Sequence, residues 1–258
     1  MATYNFIQSV GRAFAILEQF SPNEREIGVT ALAARVGLHK STCFGLLHTL
    51  QNLGYIQQNP DNGRYSLGIK SFELGQRYIQ GQDLRAIAAP YLRQLMESTQ
   101  ETVHLVLLEG ARAIYIDKVE GPHSMTISSR VGKEARMHCS GVGKILLAYL
   151  PDSMYKVAID KLEMSRNTDR TITDKRLLIE HLRLIREQGY AVDDEEIEIG
   201  LCCIAAPIFN SKNQVIAAIS ISGPNARLMR ERFSSFIEQA KNCARTISHL
   251  LGNNIQKS

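Results

Sequence analysis

The sequence lacks the features that mark membrane-spanning, secreted and disulfide-rich proteins. No apolar run approaches the roughly 18–20 residues that a membrane-spanning helix needs. The first residues, MATYNFIQSVGRAF, contain neither the apolar block nor the small-residue cleavage site of a signal peptide. The five cysteines are an odd number without a C-x-x-C pair, so they predict reduced thiols rather than a disulfide framework or a structural zinc site. We therefore expect a protein of the cytoplasm.

Strong charge and familiar catalytic motifs are also missing. The net charge of +4 over 258 residues permits a nucleic-acid partner but does not require one. Neither G-x-S-x-G nor H-E-x-x-H occurs, so the usual marks of serine hydrolases and zinc proteases are absent. The segment HCSGVGK resembles a phosphate-binding loop, but it has His138 and Ile145 where that loop needs Gly and Ser or Thr.

The chain changes character near residue 80. Before this point the predicted segments are short and their turns are closely spaced. After it come a long helical pattern that begins at Asp83 and then alternating strand and helix patterns. A chain of 258 residues has room for two domains of roughly 100–200 residues each. We therefore predict one domain over residues 1–80 and a second over residues 81–258.

Residues 1–80 predict three helices and a hairpin. Apolar residues at helical spacing indicate a first helix along Ile7–Leu17 and a second that uses Thr30 as its N-cap and ends at Gly37. A third helix follows over residues 40–53, and Asn62-Gly63 between two short strand patterns predicts a hairpin. Two helices joined by a short glycine-containing turn are typical of a helix-turn-helix, and the flanking helix and hairpin predict its winged form.

The predicted third helix has an apolar face and a polar face. The residues expected to face the core are Cys43, Leu46, Leu47, Leu50 and Leu53. The opposite face, with Lys40 near the helix N-terminus, carries the small polar groups and single cation that suit a DNA major groove. The alternative is the solvated face of a packing module. Charge does not decide between the two, because seven Lys and Arg against five Asp and Glu give residues 1–80 a net charge of only +2.

Residues 83–258 predict an α+β domain with a mostly antiparallel sheet. Two hairpins are indicated by the paired strand patterns TVHLVLLEG with ARAIYIDKVEG and CCIAAPIF with QVIAAISISG. The segment SMTISSRVG is a candidate for a further strand. Helices are predicted over residues 140–150, 174–188 and 229–250.

Several polar segments of this second domain suggest a ligand site. The Ser/Gly-rich segment at Ser140 begins a helix, where free backbone N–H groups bind a carboxylate or phosphate, or it forms a tight packing turn. Ser220 and Ser222 share one strand face, as a pocket wall or as satisfied core hydroxyls. The run DDEEIE favours a solvated acidic loop, although one carboxylate could turn inward onto ligand hydroxyls.

An enzyme and a metal site are the competing interpretations. Cys202-Cys203 lies in an apolar strand and predicts buried, inert thiols rather than a nucleophile. His104 is expected to be a core or pocket-lining histidine, and its spacing from His138 and Cys139 does not support a zinc site. A hydrolase or lyase that uses Cys203 and the acidic loop on a small carboxylic acid would leave the winged domain unexplained.

Six segments together resemble the IclR-type bacterial transcriptional regulators. In the order of that family, from about residue 6 to residue 252, they are IQSVGRAFAILEQF, TALAARVGLHKSTCFGLLHTLQNLGYI, GRYSLGIKSFELG, RMHCSGVGKILLAYL, REQGYAVDDEEIEIGLCCIAAPIFN and AAISISGP. The resemblance implies a winged helix-turn-helix, a linker helix and a C-terminal α/β effector-binding domain. It further implies dimers or tetramers, palindromic double-stranded operator DNA, and control by a small organic acid, with greatest similarity to regulators of sugar-acid catabolism.

The resemblance also implies roles for particular residues, none of them catalytic. We expect no cofactor and no metal. We expect DNA contacts from Thr30, His39, Lys40, Ser41, Thr42, Phe44, His48 and Arg64. The effector pocket is expected at Ser140, Gly141, Val142, Asp193, Cys203, Ser220 and Ser222, with further wall positions at Ile127, Ala135 and Leu201. Many relatives carry an aromatic residue or His followed by Arg where this chain has Phe44-Gly45, so we expect an operator preference of its own.

Overall fold

The computed structural model describes residues 6–80, 83–122, 129–229 and 232–253, without the side chains of residues 76–80 and 83. The chain divides into two compact units, Met1–Gln82 (unit 1) and Asp83–Ser258 (unit 2). Within the described ranges, no helix has the length and apolar character needed to cross a membrane.

The described residues of unit 1 form four helices and a two-stranded sheet. In chain order these are α1 (Gln8–Leu17), α2 (Val29–Arg35), α3 (Lys40–Asn52), β1 (Ile56–Gln58), β2 (Tyr65–Leu67) and α4 (Ile69–Gln80). Strands β1 and β2 pair antiparallel, and a further bridge joins Ile27 to Tyr65 of β2. The predicted winged helix-turn-helix is confirmed, with α2 and α3 as its two central helices.

A single hydrophobic core holds unit 1 together. It is formed by Ile16, Ile27, Leu32, Ala33, Cys43, Leu47, Leu50, Ile56 and Tyr65. The expected inward position of Leu53 is wrong, because Leu53 follows the last turn of α3 as its C-cap and is 57% exposed. Gly54 then adopts a φ of +79°, which a glycine tolerates without strain, and turns the chain toward β1.

The predicted N-cap of α2 is also wrong. The helix begins at Val29, and Gly28 occupies the N-cap position without a side-chain hydrogen bond. Thr30 therefore lies in the first turn, where it is exposed. The reason is the bridge to β2, because the Ile27 N–H and C=O both pair with Tyr65 at 2.9 Å and hold the chain extended up to the start of the helix.

Within its described residues, unit 2 combines one six-stranded sheet with six helices. Its elements are α5 (Asp83–Thr99), β3 (Thr102–Glu109), β4 (Arg112–Val119), β5 (Glu134–Ala135), α6 (Gly141–Ala148), α7 (Asp152–Lys161), α8 (Lys175–Gln188), β6 (Ala191–Asp194), β7 (Leu201–Phe209), β8 (Val215–Pro224), α9 (Asn225–Leu228) and α10 (Phe233–Leu250). The strand order is β5-β4-β3-β8-β7-β6, and every pairing is antiparallel. The predicted α+β class and antiparallel sheet are confirmed.

The elements of unit 2 differ from the sequence prediction in several places. Strand β6 was expected as part of an acidic loop, and helix α7 was not predicted. The closing helix begins at Phe233 rather than at residue 229. The predicted strand SMTISSRVG lies mostly outside the described residues, and its described part, residues 129–132, contains no strand.

The two faces of the sheet bury different kinds of side chain. On one face, Leu105, Ile204 and Ile221 belong to an apolar core shared with α5 and α10. The alternate residues of the same strands point to the other face, where α6 and α8 pack. That second face carries His104, Cys203, Ser220, Ser222 and Asp193.

Gly45 offers a simple test of the α3 geometry. A Cβ added at this mid-helix position would have no atom within 4 Å, so nothing in the fold requires glycine there. Because glycine is less favourable than alanine in a helix interior, we expect Gly45→Ala to raise the free energy of unfolding by about 0.5–1 kcal/mol. Urea denaturation followed by circular dichroism measures the change, and an unchanged or lower stability would contradict this account of α3.

Candidate functional site

The predicted DNA-contacting residues lie at the surface of unit 1. Every one of them is exposed: Thr30 in α2, His39 at the N-cap of α3, Lys40, Ser41, Thr42, Phe44 and His48 in α3, and Arg64 just before β2. The first turn of α3 contains no acidic residue, so the positive end of the helix dipole and the Lys40 ammonium act together. This end of α3 is suited to an anionic partner.

Two ion pairs among the described residues neutralise cationic side chains of unit 1. Arg35 forms a bidentate ion pair with Glu24, with both N···O distances at 2.8 Å. Lys70 forms an ion pair with Glu73, with an N···O distance of 2.7 Å. Within the described part of unit 1, no carboxylate forms an ion pair with Lys40 or Arg64. These two exposed cations are therefore available for phosphate groups.

In unit 2, strand pairing brings the predicted pocket residues together. Asp193 of β6 lies opposite Cys203 of β7, and Cys203 lies opposite Ser222 of β8. One pair further along the same face, Ser220 lies opposite His104 of β3. Residues that are adjacent across strands have Cβ atoms about 4.5–5.5 Å apart, so these side chains form one continuous polar row.

The N-terminus of α6 packs against this row. A Cβ on Gly141 would lie 3.2 Å from the Cys203 Sγ, so the helix approaches β7 closely at that point. Ser140 is the N-cap of α6, because its Oγ accepts from the Gly143 N–H at 2.9 Å and donates to the Arg136 carbonyl at 2.7 Å. Among the described groups, none accepts from the Gly141 or Val142 N–H. The Gly141 and Val142 N–H groups thus remain as donors for a ligand anion. The Ser140 and Gly143 N–H groups are already hydrogen-bonded within the protein.

His104, which the sequence predicts as a core or pocket-lining histidine, lies beside the polar row in β3. It is buried, with its Nε2 2.7 Å from the Ser129 Oγ and its Nδ1 3.3 Å from the Ser220 Oγ and 3.4 Å from the Ser222 Oγ. The Tyr115 ring packs edge-on against the imidazole, with 5.3 Å between the centroids. Both serines are therefore buried and within hydrogen-bonding distance of the His104 imidazole. The only signal in the sequence was a histidine within an apolar strand.

Burial controls the ionisation of this site. It lowers the pKa of His104 to about 3, with help from the nearby Lys118 charge, so the imidazole is neutral. Burial raises the pKa of the Cys203 thiol to about 11 and that of Cys139 to about 12. Burial also raises the pKa of the Asp193 carboxyl to about 7, although the Lys144 ammonium opposes this shift. Neither thiol is ionised near neutral pH, which removes the support for Cys203 as a nucleophile.

A buried ion pair connects α6 to the acidic segment. Lys144 is fully buried, and its Nζ donates to the Glu196 Oε1 and, at 2.6 Å, to the Val192 carbonyl. The Asp193 Oδ1 accepts from the Glu196 N–H at 2.8 Å. The prediction of a solvated acidic loop is therefore wrong for Asp193 and Glu196, because the Lys144 charge draws the segment inward. Glu196 Oε2 is the buried side-chain oxygen that has no hydrogen-bond partner among the described residues.

The remaining predicted positions have different locations. Leu201 is buried at the start of β7, opposite Pro224, and Ile127 lies outside the described residues. Ala135 lines a separate open cleft of about 760 Å³, together with residues of α7. No residue of the polar row lines that cleft, so the cleft is separate from the predicted effector site.

Metal ligands do not converge within the described residues. No group of three or more His, Cys, Asp or Glu side chains there is placed to hold a metal ion. The His138 Nε2 lies 3.0 Å from the Ser165 carbonyl, whereas His104 contacts serine hydroxyls. The zinc alternative therefore has no geometric support in this part of the chain.

Comparisons with known proteins cover nearly the whole chain. A family model described as "IclR helix-turn-helix domain" matches residues 9–60, and one described as "Bacterial transcriptional regulator IclR C-terminal" matches residues 76–249. The chain is 39% identical to the HTH-type transcriptional regulator KdgR of Escherichia coli (strain K12), covering 95% of this chain and 93% of that protein. It is 37% identical to XynR of the same organism, with coverages of 95% and 98%. The crystal structure of the Thermotoga maritima IclR superimposes with a TM-score of 0.78 at 34% identity, covering 96% and 100% of the two chains.

The raised pKa of Asp193 predicts a pH dependence of stability. Because the folded state holds this proton up to about pH 7 and the ordinary value is 3.8, the folded state binds more protons in between, and stability falls as the pH rises through this window. Asp193→Asn keeps an acceptor for the Glu196 N–H but cannot ionise. We therefore expect its stability relative to the wild type to increase from pH 5 to pH 8 in urea denaturation.

The control for this experiment is an exposed aspartate of the same unit. Asp160→Asn should follow the wild type across the pH range, because Asp160 lies at the surface of α7. A constant stability difference between Asp193→Asn and the wild type would show that the Asp193 carboxyl titrates normally.

Proposed function

Because the chain belongs to the IclR family of bacterial transcriptional regulators, we propose that it binds inverted-repeat operator DNA as a homodimer, or as a pair of dimers, under the control of a small hydroxylated organic acid. The chain is a regulator and not an enzyme, as are the named relatives that span nearly all of it. The observation that carries the proposal is the separation of two surfaces, an exposed cationic α3 in unit 1 and a buried polar row in unit 2.

The DNA-binding half of the proposal follows from α3. A helix of this kind reaches the base edges of the major groove with the residues of its first turns. Lys40 stands at the N-terminus of α3, and Ser41, Phe44 and His48 follow on its exposed face. Arg64, in the loop between β1 and β2, contacts the backbone beside the groove.

Exposed apolar faces in unit 1 support self-association. Ile7, Val10 and Phe14 at the start of the chain are each more than half exposed, as are Ile69 and Phe72 of α4. Monomers rarely leave so many large apolar side chains on one small unit, so a second copy is their natural cover. Two copies related by a two-fold axis contact two half-sites related in the same way, which requires an inverted repeat.

The effector half of the proposal follows from the chemistry of the polar row. The Gly141 and Val142 N–H groups at the positive end of α6 suit a carboxylate. Asp193, Ser220 and Ser222 suit hydroxyl groups, and the Val142 and Cys203 side chains cover the apolar side of the ligand. A short sugar acid or hydroxy acid combines both kinds of group.

Lys40→Ala tests the DNA-binding half. The probe is the duplex that the wild-type protein selects from a random-sequence pool, which we expect to contain an inverted repeat. Losing Lys40 should weaken binding to this duplex and reduce the salt slope by about one unit per lost phosphate contact in each subunit. Titrations at several salt concentrations measure both quantities.

The matched control is Lys212→Ala, which removes the same charge from the exposed β7–β8 turn of unit 2. It should leave affinity and salt slope unchanged. An equal effect of both substitutions, or none from Lys40→Ala, would exclude Lys40 from the interface. A selected duplex with a single asymmetric half-site would contradict the dimeric arrangement.

Asp193→Ala tests the effector half. A calorimetric screen of sugar acids and of short keto and hydroxy acids identifies the best ligand. Asp193→Ala should lower its affinity by about 1–3 kcal/mol, because ligand hydroxyls would lose their partner in a buried site. Asp160→Ala should bind it like the wild type. The pocket assignment is wrong if only neutral or cationic compounds bind, or if Asp193→Ala binds the acid unchanged.

A further inference from the structure

An acidic residue of unit 1 holds the loop of the hairpin. This loop, residues 59–64 and called here the wing loop, connects β1 to β2. Glu26 lies more than thirty positions earlier in the chain, yet its Oε1 accepts from the Asn59 Nδ2 at 3.0 Å and its Oε2 accepts from the Asn62 Nδ2 at 2.9 Å. One carboxylate therefore contacts the loop at two positions, Asn59 and Asn62.

The two asparagine side chains carry this contact into the backbone of the wing loop. The Asn59 Oδ1 accepts from the Asp61 N–H at 2.9 Å, and the Asn62 Oδ1 accepts from the Arg64 N–H at 2.8 Å. Each amide thus uses its donor end on Glu26 and its acceptor end on the loop. The path from Glu26 through Asn62 ends at the backbone of Arg64, the cation expected to contact DNA.

The backbone next to Glu26 is held in place by unit 1. The next residue, Ile27, is 2% exposed in the core of unit 1 and forms both of its backbone hydrogen bonds with Tyr65. Hydrogen bonds from Asn59 and Asn62 lower the pKa of Glu26, and the Arg64 charge adds to this effect, so the carboxylate stays ionised. A charged acceptor makes stronger hydrogen bonds than a neutral one.

From charge alone, Glu26 is expected to weaken DNA binding. A carboxylate close to a DNA-binding surface repels phosphates, so its removal should strengthen binding. We propose that Glu26 is instead a positioning residue for DNA binding, which holds the wing loop in the conformation that presents Arg64 to the DNA backbone. This inference rests on the proposed function of unit 1.

The two accounts predict opposite changes in DNA affinity when Glu26 is removed, and two charge-matched variants test them. Glu26→Ala and Asp61→Ala each remove one negative charge beside the same loop, but the Asp61 side chain is exposed and takes no part in the contacts above. On the duplex selected by the wild-type protein, Glu26→Ala should bind about tenfold more weakly, because binding must then also order the wing loop. Asp61→Ala should bind equally or more tightly. Glu26→Ala binding as tightly as the wild type, or more tightly, overturns the proposal.

A second readout requires no DNA. Hydrogen exchange of the Arg64 backbone amide, measured by NMR on the full chain, should accelerate in Glu26→Ala and in Asn62→Ala but not in Asp61→Ala. Unchanged exchange in Glu26→Ala would show that the carboxylate does not hold the loop. Circular dichroism and thermal unfolding establish whether each variant is folded, and Asn62→Ala gives an independent break in the same path.

A double-mutant cycle connects the loop to Arg64. If Glu26 acts by placing Arg64, Glu26→Ala should weaken binding much less in an Arg64→Ala background than in the wild type. Additive effects would overturn the link to Arg64. If the wild-type protein selects no duplex at all, the proposed function fails, and the exchange experiment still reports separately on whether Glu26 holds the loop.

Discussion

The buried ammonium of Lys144 holds together the elements that carry the proposed effector site. A fully buried charge is costly unless it is paired and hydrogen-bonded, so Lys144 requires Glu196 and the Val192 carbonyl in fixed positions. These partners tie the first turns of α6 to β6 and to the segment that follows it. Such a pair contributes little net stability, but removing one partner typically costs about 3–5 kcal/mol. Its effect is to specify where the N-terminus of α6 lies relative to Asp193.

The alternation of side chains along the β-strands forms the rest of the polar row. Along β7, Cys202 and Ile204 enter the apolar core with α5 and α10, whereas Cys203 lies on the face that α6 covers. The same alternation on β8 and β3 places Ser220, Ser222 and His104 on that face. One sheet thus supplies a hydrophobic core and a polar site without a separate loop scaffold, because successive side chains point to opposite faces.

In unit 1, the positions of the charged side chains determine which cations are available to an anionic partner, and their number does not. Glu24 and Glu73 neutralise Arg35 and Lys70, whereas Glu26 is engaged by two asparagine amides. The remaining exposed cations are few, so the orientation of each has a large effect on an anionic partner. The counts of charged residues in the sequence could not show this, because Glu24 and Arg35 are eleven positions apart and Glu26 and Asn62 are thirty-six apart.

The sequence by itself determined the two-part organisation, the winged helix-turn-helix and the antiparallel sheet, because these depend on local periodicity and on turn residues such as Gly37 and Gly54. It also determined that a helix begins at Ser140, where the cap of α6 is a local hydrogen bond. Only the tertiary structure decided that Asp193 and Glu196 turn inward, that His104 joins Ser220 and Ser222, and that α2 begins before Thr30. Each of these depends on a partner distant in sequence, a buried ammonium, a neighbouring strand or a bridge to Tyr65, and local propensity contains no information about such partners.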